Sequence, residues 1–232
     1  MRAHFEQELL DLWRGNLAYT REGVNYTLHG AALNIQLDLR VMPGHERDFG
    51  WVLVALQDIT ARKKAEEYLY YLGTHDVLTG LHNRAYFQET LLRLQRIETA
   101  PVSVIVADLN NLKYVNDNLG HEAGDKLLRR AAEVLKAGCP ANAIIARIGG
   151  DEFVLLLPDA DAAVAESTVQ RIRALIEVNN RFYRGAMLSI ALGVATSAPD
   201  LPLERAIRAA DDAMYQDKQA WAKSNSRQVA AP

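Results

Sequence analysis

The chain has 232 residues, 49% of them apolar and 24% charged, with a formal net charge of −3 and one cysteine. That length allows one large domain or two small ones with a real core, in the composition range of soluble globular proteins. The missing basic excess argues against nucleic acid as a partner, and the lone Cys139 excludes an internal disulfide framework and fits a reducing compartment.

Taken in chain order, "MRAHFEQELLDLWRG" predicts a short helix ending at Gly15. It has no signal-peptide core, and no later apolar run approaches a membrane span, so no membrane insertion and a cytoplasmic location are expected. From Val24 to Thr60, apolar and polar residues alternate, interrupted by "HGA" and "MPGHERDFG". This pattern predicts three antiparallel strands joined by hairpins. "ARKKAEEYLYYL" then reads as a helix with Ala61, Ala65, Tyr68 and Leu72 along one seam. Two heptads fit a short coiled coil or an ordinary amphipathic linker equally well.

Beyond Asp76 the pattern becomes regular. Helices are expected over "RAYFQETLLRLQRIE", from about His121 to Gly138, over "DAAVAESTVQRIRALIEV" and from Leu203 onward. Between them lie the strand "VSVIVADL", a hairpin around Gly149 and Gly150, and the strand "AMLSIALGVAT". Strand, helix, hairpin, helix, strand is the split βαβ order of a ferredoxin-like, palm-type α+β domain. One sheet face would pack on helices, leaving ligands to the rim. The expected organisation is a front sheet over 1–60, a linker helix over 61–75 and the larger domain over 76–232.

The stretch "ARIGGDEFVLLLP" places two glycines and two acids between apolar runs. Gly-Gly suits a two-residue hairpin turn, and an acidic tip can simply face water. In the split βαβ topology, however, Asp108 at the end of the first strand lies beside Asp151 and Glu152. Three carboxylates so close repel one another unless a cation or a proton neutralises them. Hard oxygen donors suit Mg²⁺, with Mn²⁺ as a substitute, alongside substrate phosphates. Gly149 and Gly150 would let a nucleotide approach the backbone. Lys113 adds a positive charge for a phosphate. Asn116 and Asp125 either cap helices and turns or read a base. A carboxylate at Asp125 pairs with the N1–H and exocyclic amine of guanine and would stand unpaired against adenine.

"RIGGDEF", "HDVLTGLHNR", "DLNNLKYVNDNLGHEAGD" and "ADDAMYQDK" together resemble the GGDEF family of bacterial diguanylate cyclases. The resemblance runs from about His75 to Lys218. It implies condensation of two GTP into cyclic di-GMP and two pyrophosphates by a homodimer, each domain holding one GTP. It further implies that Asp108, the Leu109 carbonyl, Asp151 and Glu152 hold metal, with Glu152 also assisting deprotonation. Asn116 and Asp125 would read guanine, and Lys113 and Lys218 would contact phosphates. Three departures stand out. The family's R-x-x-D product-inhibition clamp is here "PANA", Pro140 to Ala143, so no inhibitory product site is expected. Leu112 replaces the aromatic residue before the phosphate lysine. Trp221 and Ala222 stand where the family has a small residue and an arginine, with Lys223 one position away.

"GWVLVALQDITARKKAEEYLYYL" resembles the end of a PAS domain, which implies a regulatory front segment. Trp13, Phe49 and Trp51 would pack in its core or line a pocket. Neither His29 nor His45 stands out as a ligand. The rival to a cyclase is a weak GTP-binding domain that regulates a partner; a cyclic di-GMP receptor fits poorly without the clamp.

Overall fold

The structure, a computed structural model, describes residues 14–95, 101–183, 185–198 and 201–229. The expected opening helix lies outside the described residues apart from its closing turn at Arg14 and Gly15. Two compact units divide between Tyr70 and Tyr71.

In the front unit, β1 (Ala18–Tyr26), β2 (Ala32–Val41) and β3 (Val52–Asp58) form the expected antiparallel sheet in the order β1-β2-β3. The first strand starts six residues before the alternation suggested, pairing Ala18 with Arg40 and Tyr26 with Ala32. Gly30, at φ 80°, helps turn the first hairpin. Trp51 is not a core residue: it is 67% exposed and stacks on His45, whose imidazole meets Asp48 at 3.2 Å. The strand is followed by α1 (Thr60–Thr74), which buries none of its residues. Its seam residues Ala61, Ala65, Tyr68 and Leu72 are all exposed. At its start, Arg62 and Lys63 both pair with Glu22 of β1.

The second unit contains α2 (Arg84–Gln95), β4 (Val102–Leu109), α3 (Leu112–Leu119), α4 (His121–Gly138), β5 (Ile144–Arg147), β6 (Glu152–Pro158), α5 (Ala162–Phe182), β7 (Ile190–Thr196) and α6 (Leu203–Val229). The sheet order is β5-β6-β4-β7 with every pairing antiparallel, the ferredoxin-like arrangement that puts β4 and β6 at the centre. Short α3 is an element beyond the expected strands and helices.

Helices cover both faces of this sheet, not one. Ile105, Ala107 and Leu109 of β4 join Phe153, Leu155 and Leu157 against Leu127, Leu128 and Leu135 of α4 and Ile172 of α5. The alternate residues Val102, Val104 and Val106 pack with Phe87 of α2 and Leu203, Ala210 and Met214 of α6. Side chains alternate across a strand, so a strand with apolar residues at nearly every position needs cover on both sides. The consequence for ligands is unchanged, because a doubly covered sheet leaves only its rim and loops.

Candidate active site

The rim in question lies where β4 ends and the loop between β5 and β6 turns. Asp108 pairs in register with Glu152 on one side and Ala191 on the other. Its parity places it with Val104 and Val106, on the face covered by α6. That is why Lys218 of α6 reaches it, with Nζ 2.7 Å from Asp108 Oδ1. The residue is only 4% exposed. Burial pushes its pKa above the ordinary value; Lys218 pulls it down, while Asp151 and Asp211 push it further up. Asp151 is joined to the strand end through its backbone, its carbonyl accepting the Leu109 N–H at 2.9 Å.

The loop is not the expected two-residue glycine turn. Ile148 N–H donates to Glu152 O, continuing the β5–β6 register past Arg147 and Phe153, and Glu152 N–H donates to Gly149 O, so residues 149–151 span the turn. Neither glycine has a left-handed φ. A Cβ at Gly150 would meet nothing within 4 Å, and one at Gly149 only Glu152 Oε2 at 3.7 Å. Neither turn geometry nor internal packing therefore requires a bare Cα here. Space for a ligand against the backbone is the remaining physical reason.

Arg147, which the sequence reading did not single out, fixes this loop. Its guanidinium donates to the Gly150 carbonyl at 2.8 and 3.1 Å and pairs with Asp76 at 3.1 Å. Asp76 also accepts from the backbone and hydroxyl of Thr79. An arginine placed two residues before the glycines was the available signal; its partner, 71 residues away, had none.

On the other side of Asp108, Asn110 and Asn111 lead into α3. Asn110 is anchored through its backbone and side chain to Ser189, and Asn111 adopts φ 63°. Lys113 lies exposed in the first turn of α3. Asn116 of α3 lies against the bare Cα of Gly124 in α4, where a Cβ would stand 2.0 Å from its Oδ1. Asp125 is the next residue along. The N-cap of α4 is Gly120, without a side-chain cap bond, and Asp125 lies inside the helix. Helix capping thus does not account for Asp125; its carboxylate faces Arg129 at 4.0 Å.

Asp108 Oδ1 makes no aligned hydrogen bond, with the Lys218 ammonium at ion-pair distance, and the buried Asn110 Oδ1 has no partner among the described residues. Hard oxygen donors of this kind fit a divalent cation. No three acidic, histidine or cysteine side chains converge as a ready cation cage among the described residues. Asp108 and Asp151 form the carboxylate pair, and Glu152 is exposed. Such a set would be completed by phosphate oxygens and water.

A ferredoxin-like domain with a carboxylate pair, a glycine loop and an ammonium at one sheet rim belongs to the class of α+β palm domains. The family model "Diguanylate cyclase, GGDEF domain" matches residues 73–224, and the chain belongs to that family, whose chemistry is cyclic di-GMP synthesis. It is 35% identical over 170 residues, 72% of its length, to the probable diguanylate cyclase DgcE of Escherichia coli. Over 158 residues, 64% of its length, it is 32% identical to diguanylate cyclase A of Treponema denticola. The chain spans 15% and 42% of the lengths of those two relatives. Among solved structures, the coiled coil and GGDEF domain of DgcB from Caulobacter crescentus, in complex with c-di-GMP, matches with a TM-score of 0.63 and 25% identity. That match covers 70% of this chain and 89% of the other. The front sheet lies outside the matched family residues. No helix among the described residues is long and apolar enough to cross a membrane.

Proposed function

We propose that this chain is a diguanylate cyclase that condenses two GTP into cyclic di-GMP and two pyrophosphates as a homodimer. The observation that carries this reading is the buried Asp108 beside Asp151, at the mouth of a loop where neither backbone φ nor internal packing requires glycine. Asp108, the Leu109 carbonyl, Asp151 and Glu152 would hold Mg²⁺ or Mn²⁺. When bound, the cation supplies charge neutralisation for the phosphates and a lowered pKa for a bound hydroxyl.

The chain's own groups divide the rest. Asn116 and Asp125 hold the guanine, with Asp125 selecting against adenine through the acceptor it would otherwise face. Lys113 and Lys218 neutralise phosphate oxygens. Glu152, exposed at the loop, accepts the proton of the 3′-hydroxyl. The 3′-oxygen forms a bond to the α-phosphorus of the GTP held by the facing domain, and the bond to the departing pyrophosphate breaks. The symmetric event closes the ring. The replacement of the family's clamp by Pro140–Ala143 supports synthesis without strong product inhibition.

The front unit regulates by pairing chains; its PAS-like reading rests on the three-stranded sheet and the helix that leaves it. The exposed seam of α1, with Tyr68 and Leu72 on it, supports that role, since it offers apolar surface to a second chain. Purified protein incubated with GTP and Mg²⁺ over a range of concentrations tests the proposal. Cyclic di-GMP forming at a rate that rises faster than linearly with protein is expected. GTP binding without product at any concentration would leave the regulatory-domain reading in its place.

A further inference from the structure

Two neighbouring residues of α6 act on different parts of the second unit. Successive helical residues point about 100° apart. Asp217 faces the outer edge of β7, where its Oδ2 accepts the Leu192 N–H at 2.9 Å and pairs with Arg173 of α5 at 3.0 Å. β7 is an edge strand, so that N–H has no ladder partner of its own. Lys218 turns over the end of β4 instead and meets Asp108. The helix cannot drift between these contacts. At Gly193 it lies directly on β7, where a Cβ would stand 2.0 Å from the Ala210 carbonyl and 2.1 Å from the Met214 nitrogen.

We propose that Asp217 and Lys218 together gate metal entry. Asp217 locks α6 to the edge of β7, the lock holds the Lys218 ammonium on Asp108, and a divalent cation takes Asp108 only as nucleotide phosphates draw that ammonium away. Two cations cannot share one carboxylate oxygen at bonding distance without strong repulsion. In the absence of nucleotide, Lys218 therefore competes with metal. Phosphate oxygens offer it an alternative partner, so metal and nucleotide bind with positive and reciprocal coupling. Lys218 thus has two successive partners, and Asp217 is a positioning residue that touches neither metal nor substrate.

The inference rests on the cyclase reading only for the identity of the nucleotide. Its test is Mn²⁺ binding to the full chain, followed by the paramagnetic resonance signal of free Mn²⁺, with and without a non-hydrolysable GTP analogue. Without the analogue, Lys218→Met should bind Mn²⁺ roughly 3- to 10-fold more tightly than the wild type, the range expected for removing a partly exposed competing charge. Asp217→Ala should shift affinity in the same direction by less. Asp217→Asn keeps an oxygen for the Leu192 N–H and should restore wild-type behaviour. The analogue should raise Mn²⁺ affinity more in the wild type than in Lys218→Met. If Lys218→Met does not fold, as read by circular dichroism, Lys218→Gln replaces it. Equal or weaker Mn²⁺ binding by the lysine variant, or no binding by either protein, overturns the gate. Because the titration needs no turnover, a chain that binds Mn²⁺ as expected but makes no product overturns the cyclase reading alone. An active chain whose Mn²⁺ affinity ignores Lys218 overturns the gate alone.

Discussion

Two strands of this protein have nearly the same character and opposite fates. β3 reads "VLVALQD" and is exposed at every position, whereas β4 reads "VSVIVADL" and is buried at every position. The difference lies in what covers each sheet. α2 and α6 lie on one face of the second sheet and α4 and α5 on the other, while the helix that follows β3 buries no residue at all. Burial belongs to the layers around a strand, and the layers decide which carboxylate becomes a chemical group. Asp58 ends β3 in water, near its own Thr60. Asp108 sits at the end of β4, where cover raises its proton affinity and brings an ammonium to it.

Substitutions in the two sheets should break this comparison most sharply. Gly193→Ala drives a Cβ into the backbone of α6, and Phe153→Ala empties a fully buried site. Both should cost about 3–5 kcal/mol or prevent folding, as urea denaturation of the second unit would read. Gly23→Ala in β1 meets open space and should stay within about 1 kcal/mol of wild type. A Gly193→Ala protein that melts like the wild type would contradict the close approach of α6 to β7.

At the rim, function should separate from stability. Asp151→Ala should lower cyclic di-GMP synthesis by about 10³-fold while leaving the melting temperature within a few degrees, because it removes charge from a strained acidic pair. Gly150→Ala should likewise leave stability unchanged, since its Cβ meets nothing, yet weaken GTP binding measured by calorimetry. An unaffected GTP affinity would remove the ligand-space explanation of the glycines.

A smaller effect is expected where the loop is anchored. Arg147→Ala should cost about 1–3 kcal/mol, as the half-buried Asp76 loses its ion pair and the Gly150 carbonyl its donor. Burial alone would raise the pKa of Asp76, but the bonds from Thr79 and Arg147 outweigh it and leave the value lowered. The unfolded chain therefore binds this proton more readily. The stability from Asp76 is complete above its unfolded pKa, near 3.8, and is lost as pH falls through the lower folded value. Asp76→Asn should remove that part of the acid loss, as urea denaturation between about pH 2 and 5 would register.

The smallest change should come from Leu56→Ser in β3, which is 64% exposed. In dilute protein it should shift stability by less than about 0.5 kcal/mol. An effect that grows with concentration, in analytical ultracentrifugation or thermal melts, would mean that a second chain covers this strand.

Much of the second unit is legible in the sequence because local patterns there agree with the fold. The continuous apolar run of β4, the 3.6-residue periodicity of α4 and the Gly-flanked hairpin all point to one arrangement. Other features escape for physical reasons. Helix α3 is only two turns long, too short for its periodicity to separate it from a loop, and its N-cap Asn111 makes no side-chain cap bond. The partnership of Arg147 with Asp76 joins residues 71 apart, and no local pattern encodes such a pair. Trp51 reads as a core or pocket residue from its chemistry alone; it is not in a core but 67% exposed beside His45, at a surface hollow it lines with Met42 and Val52.

By itself the sequence determined the strands and longer helices of the second unit, the family motifs and the residue types at the rim, because strands and long helices follow from short-range sterics and periodicity. Tertiary structure alone decided that the second sheet is covered twice, that Asp108 is buried beside Lys218, and that Gly149 and Gly150 are not required by their turn. Those outcomes depend on which distant surfaces exclude water from one another, and exclusion of water is a property of the assembled layers.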